Sequence, residues 1–187
     1  SVADCAARNN NGYGFVVGYG GAIRNCAASA NTAYGFRVLD ACAVLNCSAE
    51  ANGSDGAYVG NGCTLKGCSA RDNGGDGFEL GADCLLADCG ASGNGTAVAD
   101  GAGVRIGGAG NRIEGANLVG NDIGLAATSA DNTIVRNTAG ANTVDNWSVV
   151  AGNVCYVVQA VKTGVAFSGN SGGTAPGATD PSVNFTY

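Results

Sequence analysis

The chain has 187 residues, a formal net charge of −6, a sequence pI of about 4.3 and 45% apolar residues, which suits a hydrophobic core and excludes a disordered, highly charged tail. Its 33 glycines follow no every-third-residue spacing and only 2 prolines accompany them, so collagen is excluded. The acidic balance argues against nucleic acid or an anionic membrane as partner, and the lack of histidine removes serine–histidine and cysteine–histidine pairs and histidine-ligated zinc.

Ser1-Val2-Ala3-Asp4 has neither the basic region nor the apolar core of a signal peptide, and no apolar run approaches the eighteen or so residues of a membrane span. The chain therefore reads as already processed or cut from something longer, with no membrane span expected. From Cys5 onward a repeat takes over. Cys5, Cys26, Cys47, Cys68 and Cys89 are each 21 residues apart, and Cys42, Cys63 and Cys84 form a second series five residues ahead. Asn10, Asn31, Asn52, Asn73 and Asn94 keep the same phase. Three in-phase series of uncommon residues set the period of the chain.

The apolar residues share that register. Val2, Ile23, Val44, Leu65 and Leu86 precede each ladder cysteine by three, and Ala7, Ala28, Ala49, Ala70 and Ala91 follow it by two. Phe15, Phe36, Ala57 and Phe78 each follow a glycine, with Val17, Val38, Val59 and Leu80 two residues on. This is period-two alternation, the signature of strands, with no helical spacing. After Asn94 the register slips, and residues 95–102 read as an inserted loop of about six residues. Ile113 and Ala116 then resume the Leu86 and Cys89 positions. Asn132 and Asn137 take the two cysteine positions in the next unit, and Trp147 and Val149 take those of phenylalanine and valine.

A 21-residue unit of two or three short strands cannot bury its own apolar face, so it must stack on its neighbours at about 4.8 Å per coil. The predicted fold is all-β: a single parallel β-solenoid of about seven 21-residue coils over residues 1–158, with an irregular tail at 159–187. Glycines serve the corners, through positive φ or close backbone approach.

Units such as Asn132-Thr-Ile-Val-Arg-Asn137 and Asn73-Gly-Gly-Asp-Gly-Phe-Glu-Leu80 resemble the right-handed parallel β-helix repeat proteins of the pectate-lyase-like superfamily. The ending Gly177-Ala-Thr-Asp-Pro181-Ser-Val-Asn-Phe-Thr-Tyr187 looks like the carboxyl terminus of secreted bacterial members. The resemblance implies right-handedness and an extracellular or cell-surface location. Most such members are exported proteins of unassigned function.

The cysteines lack a Cys-x-x-Cys pair and a histidine, which argues against a metal site. A bridge between Cys42 and Cys47 would have to close about 16 Å of extended strand, whereas bridged Cα atoms lie within about 7 Å. Partial bridging between adjacent coils stays open, but the simpler expectation is a ladder of small buried apolar groups. The asparagines are expected on the inner side of a turn, each amide bonding the same residue one coil away, and there the Asn-x-Ser/Thr matches at Asn52 and Asn94 could not be glycosylated. Asn146 and Asn184 also match that three-residue pattern.

Asp55 and Asp76 precede the turn glycine one coil apart, so their carboxylates should stack about 5 Å from each other. Hard cations such as Ca²⁺ use oxygen clusters of this kind; ordinary Asp-Gly turn chemistry accounts for the same residues. The outward row reads Val16, Arg37, Tyr58, Glu79, Arg105, and Arg37–Tyr58–Glu79 is a candidate sugar-binding strip. Pectate-lyase-like enzymes, as the resemblance implies, use an arginine or lysine base with acidic Ca²⁺ ligands on such a face. Arg37 with Asp55, Asp76 and Glu79 is the only set here suited to those parts, and no family catalytic motif matches residue for residue. Alternating charge on a solvated face explains the same row.

Val2 already stands on an inward position with no capping segment before it, so the first coil should expose a template for pairing. The tail, including Val183-Asn-Phe-Thr-Tyr187, could add a strand to the head of another copy, and a contact that does not close makes a filament. The expectation is therefore an extracellular structural protein, without catalysis or obligatory cofactor, that associates with itself head to tail. The alternative is a carbohydrate-binding or Ca²⁺-dependent polysaccharide lyase-like β-helix acting on an acidic glycan.

Overall fold

The computed structural model describes residues 1–97, 101–159 and 182–187. Residues 98–100 of the predicted loop and 160–181 of the tail lie outside the described residues. All three sheets are parallel, and no helix occurs among the described residues. Each of about seven coils contributes one short strand to every sheet. Sheet A stacks eight strands from Val2–Ala3 through Ala22–Arg24 to Val154–Cys155, and sheet B begins at Ala6–Arg8 and has nine. Sheet C runs from Phe15–Val17 to Asp145–Val149 in seven strands.

The register is the sequence period made solid. Val2 pairs with Ile23, Leu65 with Leu86, and Ala28 with Ala49. The core is the set of inward ladders, including Ile23, Leu65, Leu86, Phe36 and Phe78, none more than 1% exposed. Trp147 and Val149 continue the phenylalanine and valine ladders beside Leu125 and Ala127, as the sequence predicts. The insertion is split between two turns. The offset is 26 residues between Asp76 and Ala102 and 27 between Cys84 and Asn111, so five extra residues precede the sheet C strand Ala102–Ile106 and one follows it.

The asparagine ladder does what its phase suggested. Asn73 Nδ2 donates to Asn94 Oδ1 at 2.9 Å, its backbone N–H donates to the same oxygen at 3.2 Å, and Nδ2 also reaches the Ala49 carbonyl at 3.3 Å. The same pattern runs from Asn10 to Asn142, crossing the insertion at Asn94–Asn121. Asn52, Asn94 and Asn184 are buried, which keeps their amides from a glycosylating enzyme.

The ladder cysteines from Cys26 to Cys89 are small buried groups of the core, as expected, and they do more than fill it. All nine cysteines are free thiols, seven of them buried, and the ladder sulfurs work as hydrogen-bonding groups. The Cys42 N–H donates to Cys63 Sγ at 3.4 Å, and Cys63 N–H to Cys84 Sγ at 3.4 Å. Each thiol in turn reaches back to a carbonyl, Cys63 to Leu39 and Cys84 to Gly60. One coil later the Cys84 N–H donates to Asn111 Oδ1 at 2.8 Å. The physical reason is positional: the side chain stands where a turn leaves a backbone N–H unpaired, and a thiol is a weak version of the asparagine that does the same work.

Corners also depart from the glycine-only reading. Asn46, Asp88 and Arg136 hold positive φ at the same corner as Gly67, with φ of 52°, 54°, 58° and 64°. Glycine is required elsewhere for close approach: a Cβ on Gly56 would lie 2.6 Å from the Gly77 carbonyl oxygen and 2.9 Å from Asn73 Nδ2.

The tail contains a strand that the sequence left irregular. Asn184–Thr186 lies between Thr138–Gly140 and Val157–Gln159 in sheet B, parallel to both. Asn184 Oδ1 accepts from the Asn137 N–H at 2.9 Å and from Asn137 Nδ2 at 3.0 Å, a ladder rung made across 47 residues. The strand offered for pairing with another copy is thus engaged within its own chain.

Asn73→Ala should cost about 1–3 kcal/mol, because it strips partners from buried groups in two neighbouring coils. Asn142→Ala, half-buried near the end of the ladder, should cost less; thermal unfolding of both variants checks the order. Titration of denatured, unreduced protein with a thiol reagent should count nine thiols, with Cys5, the exposed one, reacting first in the native state.

Candidate functional site

Sheet C turns its middle residues outward. Strand pairing sets Val16, Arg37, Tyr58, Glu79 and Arg105 in one row along the axis. Beside the row runs a second line, two residues before each inward aromatic position, holding Tyr13, Tyr34, Asp55 and Asp76. Stacking at one coil per step forces each of these side chains against the next.

Asp55 and Asp76 are 7% and 6% exposed, so both carboxylates are largely withdrawn from water. Their backbone partners come from the next coil. Asp55 Oδ1 accepts from the Asp76 N–H at 2.9 Å, and Asp76 Oδ1 accepts from the Ala102 N–H at 2.6 Å. Asp76 Oδ2 is paired with Arg105 Nε at 2.6 Å, and this ion pair is itself mostly shielded. Carboxylate oxygens of Asp55, Asp76 and Glu79 all lie within 4.8 Å of one another. Burial pushes the Asp55 carboxyl up to about 7 against the hydrogen bond from the Asp76 backbone, and the charges of Asp76 and Glu79 add to the rise.

The other half of the row is aromatic and cationic. The Arg37 guanidinium lies 4.8 Å from the Tyr58 ring centre and 5.9 Å from that of Tyr34. Tyr13 and Tyr34 stack at 5.6 Å with planes 5° apart, and Tyr34 meets Tyr58 at 5.6 Å, tilted by 34°. Burial, followed by the charge of Asp55, raises the Tyr34 phenol.

Two shallow clefts open on this face. One, of about 290 Å³, lies over Gly53, Gly74, Gly75, Asp55, Asp76 and Arg105. The second, of about 300 Å³, lies along Tyr58, Glu79, Asn61 and Gly81. Glycine keeps the first one open: a Cβ on Gly75 would run into the Asp55 carboxylate.

The structure thus brings Asp55 and Asp76 together with Glu79, and Arg37 with Tyr58, leaving Arg37 two coils from Glu79 as the spacing required. Arg105 and Tyr34 complete the site. The sequence placed Arg105 in the outward row but not on Asp76, because the 26-residue offset breaks the 21-residue phase there. The acidic trio has the dimensions of a hard-cation site. Ca²⁺–oxygen distances of about 2.3–2.6 Å place oxygens around one ion up to about 5 Å apart. Asp55, Asp76 and Glu79 would supply the protein ligands, with Arg105 competing for Asp76.

Together these features define a parallel β-helix of right-handed type with an acidic, aromatic-flanked cleft on one sheet. No protein-family model matches the chain, and no curated protein is significantly similar to it in sequence. Its fold is similar to that of pectate lyase Pel9A, with a TM-score of 0.65 and 20% identity, covering 81% of this chain and 47% of that one. The A-module of mannuronan C-5 epimerase AlgE4 from Azotobacter vinelandii aligns with a TM-score of 0.57 and 20% identity, over 72% of this chain and 52% of that one. The A-module of AlgE6 from the same organism gives 0.60 and 18%, over 81% and 56%. The chain spans about half the length of these structures. No helix is long and apolar enough to cross a membrane among the described residues.

A carboxyl whose folded pKa is raised adds stability that is complete below the unfolded value of 3.8 and is lost as pH rises through about 7. The melting temperature should therefore fall between pH 5 and pH 8, and Asp55→Asn should flatten that fall. A wild-type melting curve without pH dependence in this window would contradict the assignment.

Proposed function

We propose that this chain binds an acidic polysaccharide along the outward row of sheet C, with a divalent cation held at Asp55, Asp76 and Glu79. The single observation behind the reading is the convergence of three carboxylate oxygens within 4.8 Å, flanked by arginines at both ends of an open row. Pectate lyase and mannuronan epimerase β-helices are polysaccharide-acting proteins by name, and their likeness in fold is in keeping with this substrate class.

Charge decides the form of recognition. The chain carries −6 overall, and three carboxylates outnumber the two guanidiniums on this face. A polyanionic sugar is repelled by that balance unless a cation bridges it to the cluster. Arg37 then offers a planar donor for a sugar carboxylate, and the half-buried Tyr58 offers an apolar surface for a ring. An acidic-glycan ligand is in keeping with the extracellular location expected from the sequence. Binding also accounts for more of the structure than an end-to-end filament does, since the C-terminal strand is seated in its own sheet.

Calorimetric titration with polygalacturonate and alginate should give Ca²⁺-dependent binding that a chelator abolishes, with a neutral dextran inert. Glu79→Gln and Tyr58→Ala should each weaken it on the order of tenfold, the equivalent of about 1.4 kcal/mol. Equal binding to dextran, or none to either acidic glycan with Ca²⁺ present, would overturn the proposal. Release of unsaturated uronates from either polymer would add catalysis to the reading.

A further inference from the structure

The two cysteine ladders are unexplained by turn chemistry alone. Asparagine fills the same positions at Asn111, Asn132 and Asn137 and makes shorter bonds, 2.8 Å to the Cys84 and Ala116 N–H groups against 3.4 Å for the sulfur acceptors. Eight rungs nevertheless carry sulfur: five consecutive ones in the series from Cys5 to Cys89 and three consecutive ones from Cys42 to Cys84. Pairing of the flanking strands places each sulfur over the one before it. The Cys68 N–H donates to Cys89 Sγ and the Cys42 N–H to Cys63 Sγ, each at 3.4 Å, so successive side chains of each series stand one coil apart.

That spacing is a coordination geometry. Two metal–sulfur bonds of about 2.3 Å each span about 4.6 Å in a straight line, against a coil rise of about 4.8 Å. Side chains that project in parallel leave the gap between successive sulfurs along the axis, so a bridging ion would stand sideways to each C–S bond. Zinc is excluded by this arrangement, because it takes four ligands in a tetrahedron and each gap supplies two. Soft monovalent ions with a filled d shell accept two thiolates in a line, and thiolate selects copper(I).

We infer that the stacked cysteines form two linear chains for soft monovalent metal ions, one ion in each gap between successive coils. Each ion bonds two sulfurs and displaces one thiol proton, which leaves to solvent; no electron moves. Four ions in the five-sulfur chain and two in the three-sulfur chain leave one S–H in each, so neither chain gains net charge. Charge balance matters because the ladders are buried, and an uncompensated ion there would be expelled. In the short chain, burial raises the Cys63 thiol and pushes Cys84 up to about 11, so metal binding there displaces protons that these two groups otherwise keep. The bonds lost are weak S–H contacts to carbonyls, while the N–H groups directed at sulfur keep an acceptor. Cys5, exposed at one end, opens the longer chain to solvent.

Silver(I) is the probe, added anaerobically to the reduced, folded chain and counted by native mass spectrometry. Wild type should take up six ions with its β circular dichroism intact. Cys63→Asn empties both gaps of the short chain and Cys68→Asn empties two of four in the long one, so each should bind four. Asparagine is the chosen replacement because the chain already accommodates it on these ladders. Cys155→Ser, off both ladders above Ile134, should still bind six. Loss of one ion per cysteine removed, uptake only as the β signal collapses, or no uptake at all would overturn the inference. X-ray absorption at the silver edge of wild type gives an independent check if a variant does not fold. Two collinear sulfur neighbours support the chains, and three or four sulfurs exclude them.

Discussion

Everything in this molecule depends on one repeated contact: a side chain at an inner turn position accepts the backbone N–H of the preceding coil. Asn31, Asn52, Asn73 and Asn94 make it with amides, and Cys63, Cys84 and Cys89 make it with sulfur. Parallel strands of three residues leave most of each coil in turns, where backbone groups cannot all meet strand partners. A buried N–H without an acceptor costs about 1–3 kcal/mol. The ladder removes that cost once per coil and locks neighbouring coils into one register, from which the apolar stacking of Leu65 on Leu86 follows.

Strict stacking also explains the chemistry of the surface. In a sheet whose coils repeat in register, side chains at equivalent positions cannot avoid one another. Where they are tyrosines, as at Tyr13 and Tyr34, the result is a parallel stack; where they are acids, as at Asp55 and Asp76, it is a concentration of like charge. The fold offsets the second case in three ways. Backbone N–H groups point at both carboxylates, Arg105 neutralises Asp76, and a proton stays on Asp55 to near neutral pH. This supported carboxylate cluster, beside an aromatic and arginine-bearing row, is the basis of the proposed cation and acidic-glycan site.

The insertion shows how such a fold takes up extra length without losing register. Five residues enter before Ala102–Ile106 and one after it, yet Val104 and Ile106 remain on their inward ladders and Arg105 remains outward. Extra length is absorbed in the turns, where no side chain has to face the core. The same tolerance lets Asn184 supply a rung beside Asn137 from 47 residues away.

Period and alternation by themselves determined the parallel coil architecture, the inward ladders of Ile23, Phe36 and Leu65, the asparagine ladder, and the position of Trp147. Each is a property of equivalent positions, and equivalence is what a repeat encodes. They also placed Asp55 beside Asp76, since neighbours one period apart must touch. Tertiary structure alone decided the pairing of Arg105 with Asp76, the hydrogen-bonding use of the thiols, and the insertion of Asn184–Thr186 into sheet B. These contacts join positions of different phase, or cross an interruption of the period. Their existence depends on where side chains point in space, and spacing along the chain carries no record of that.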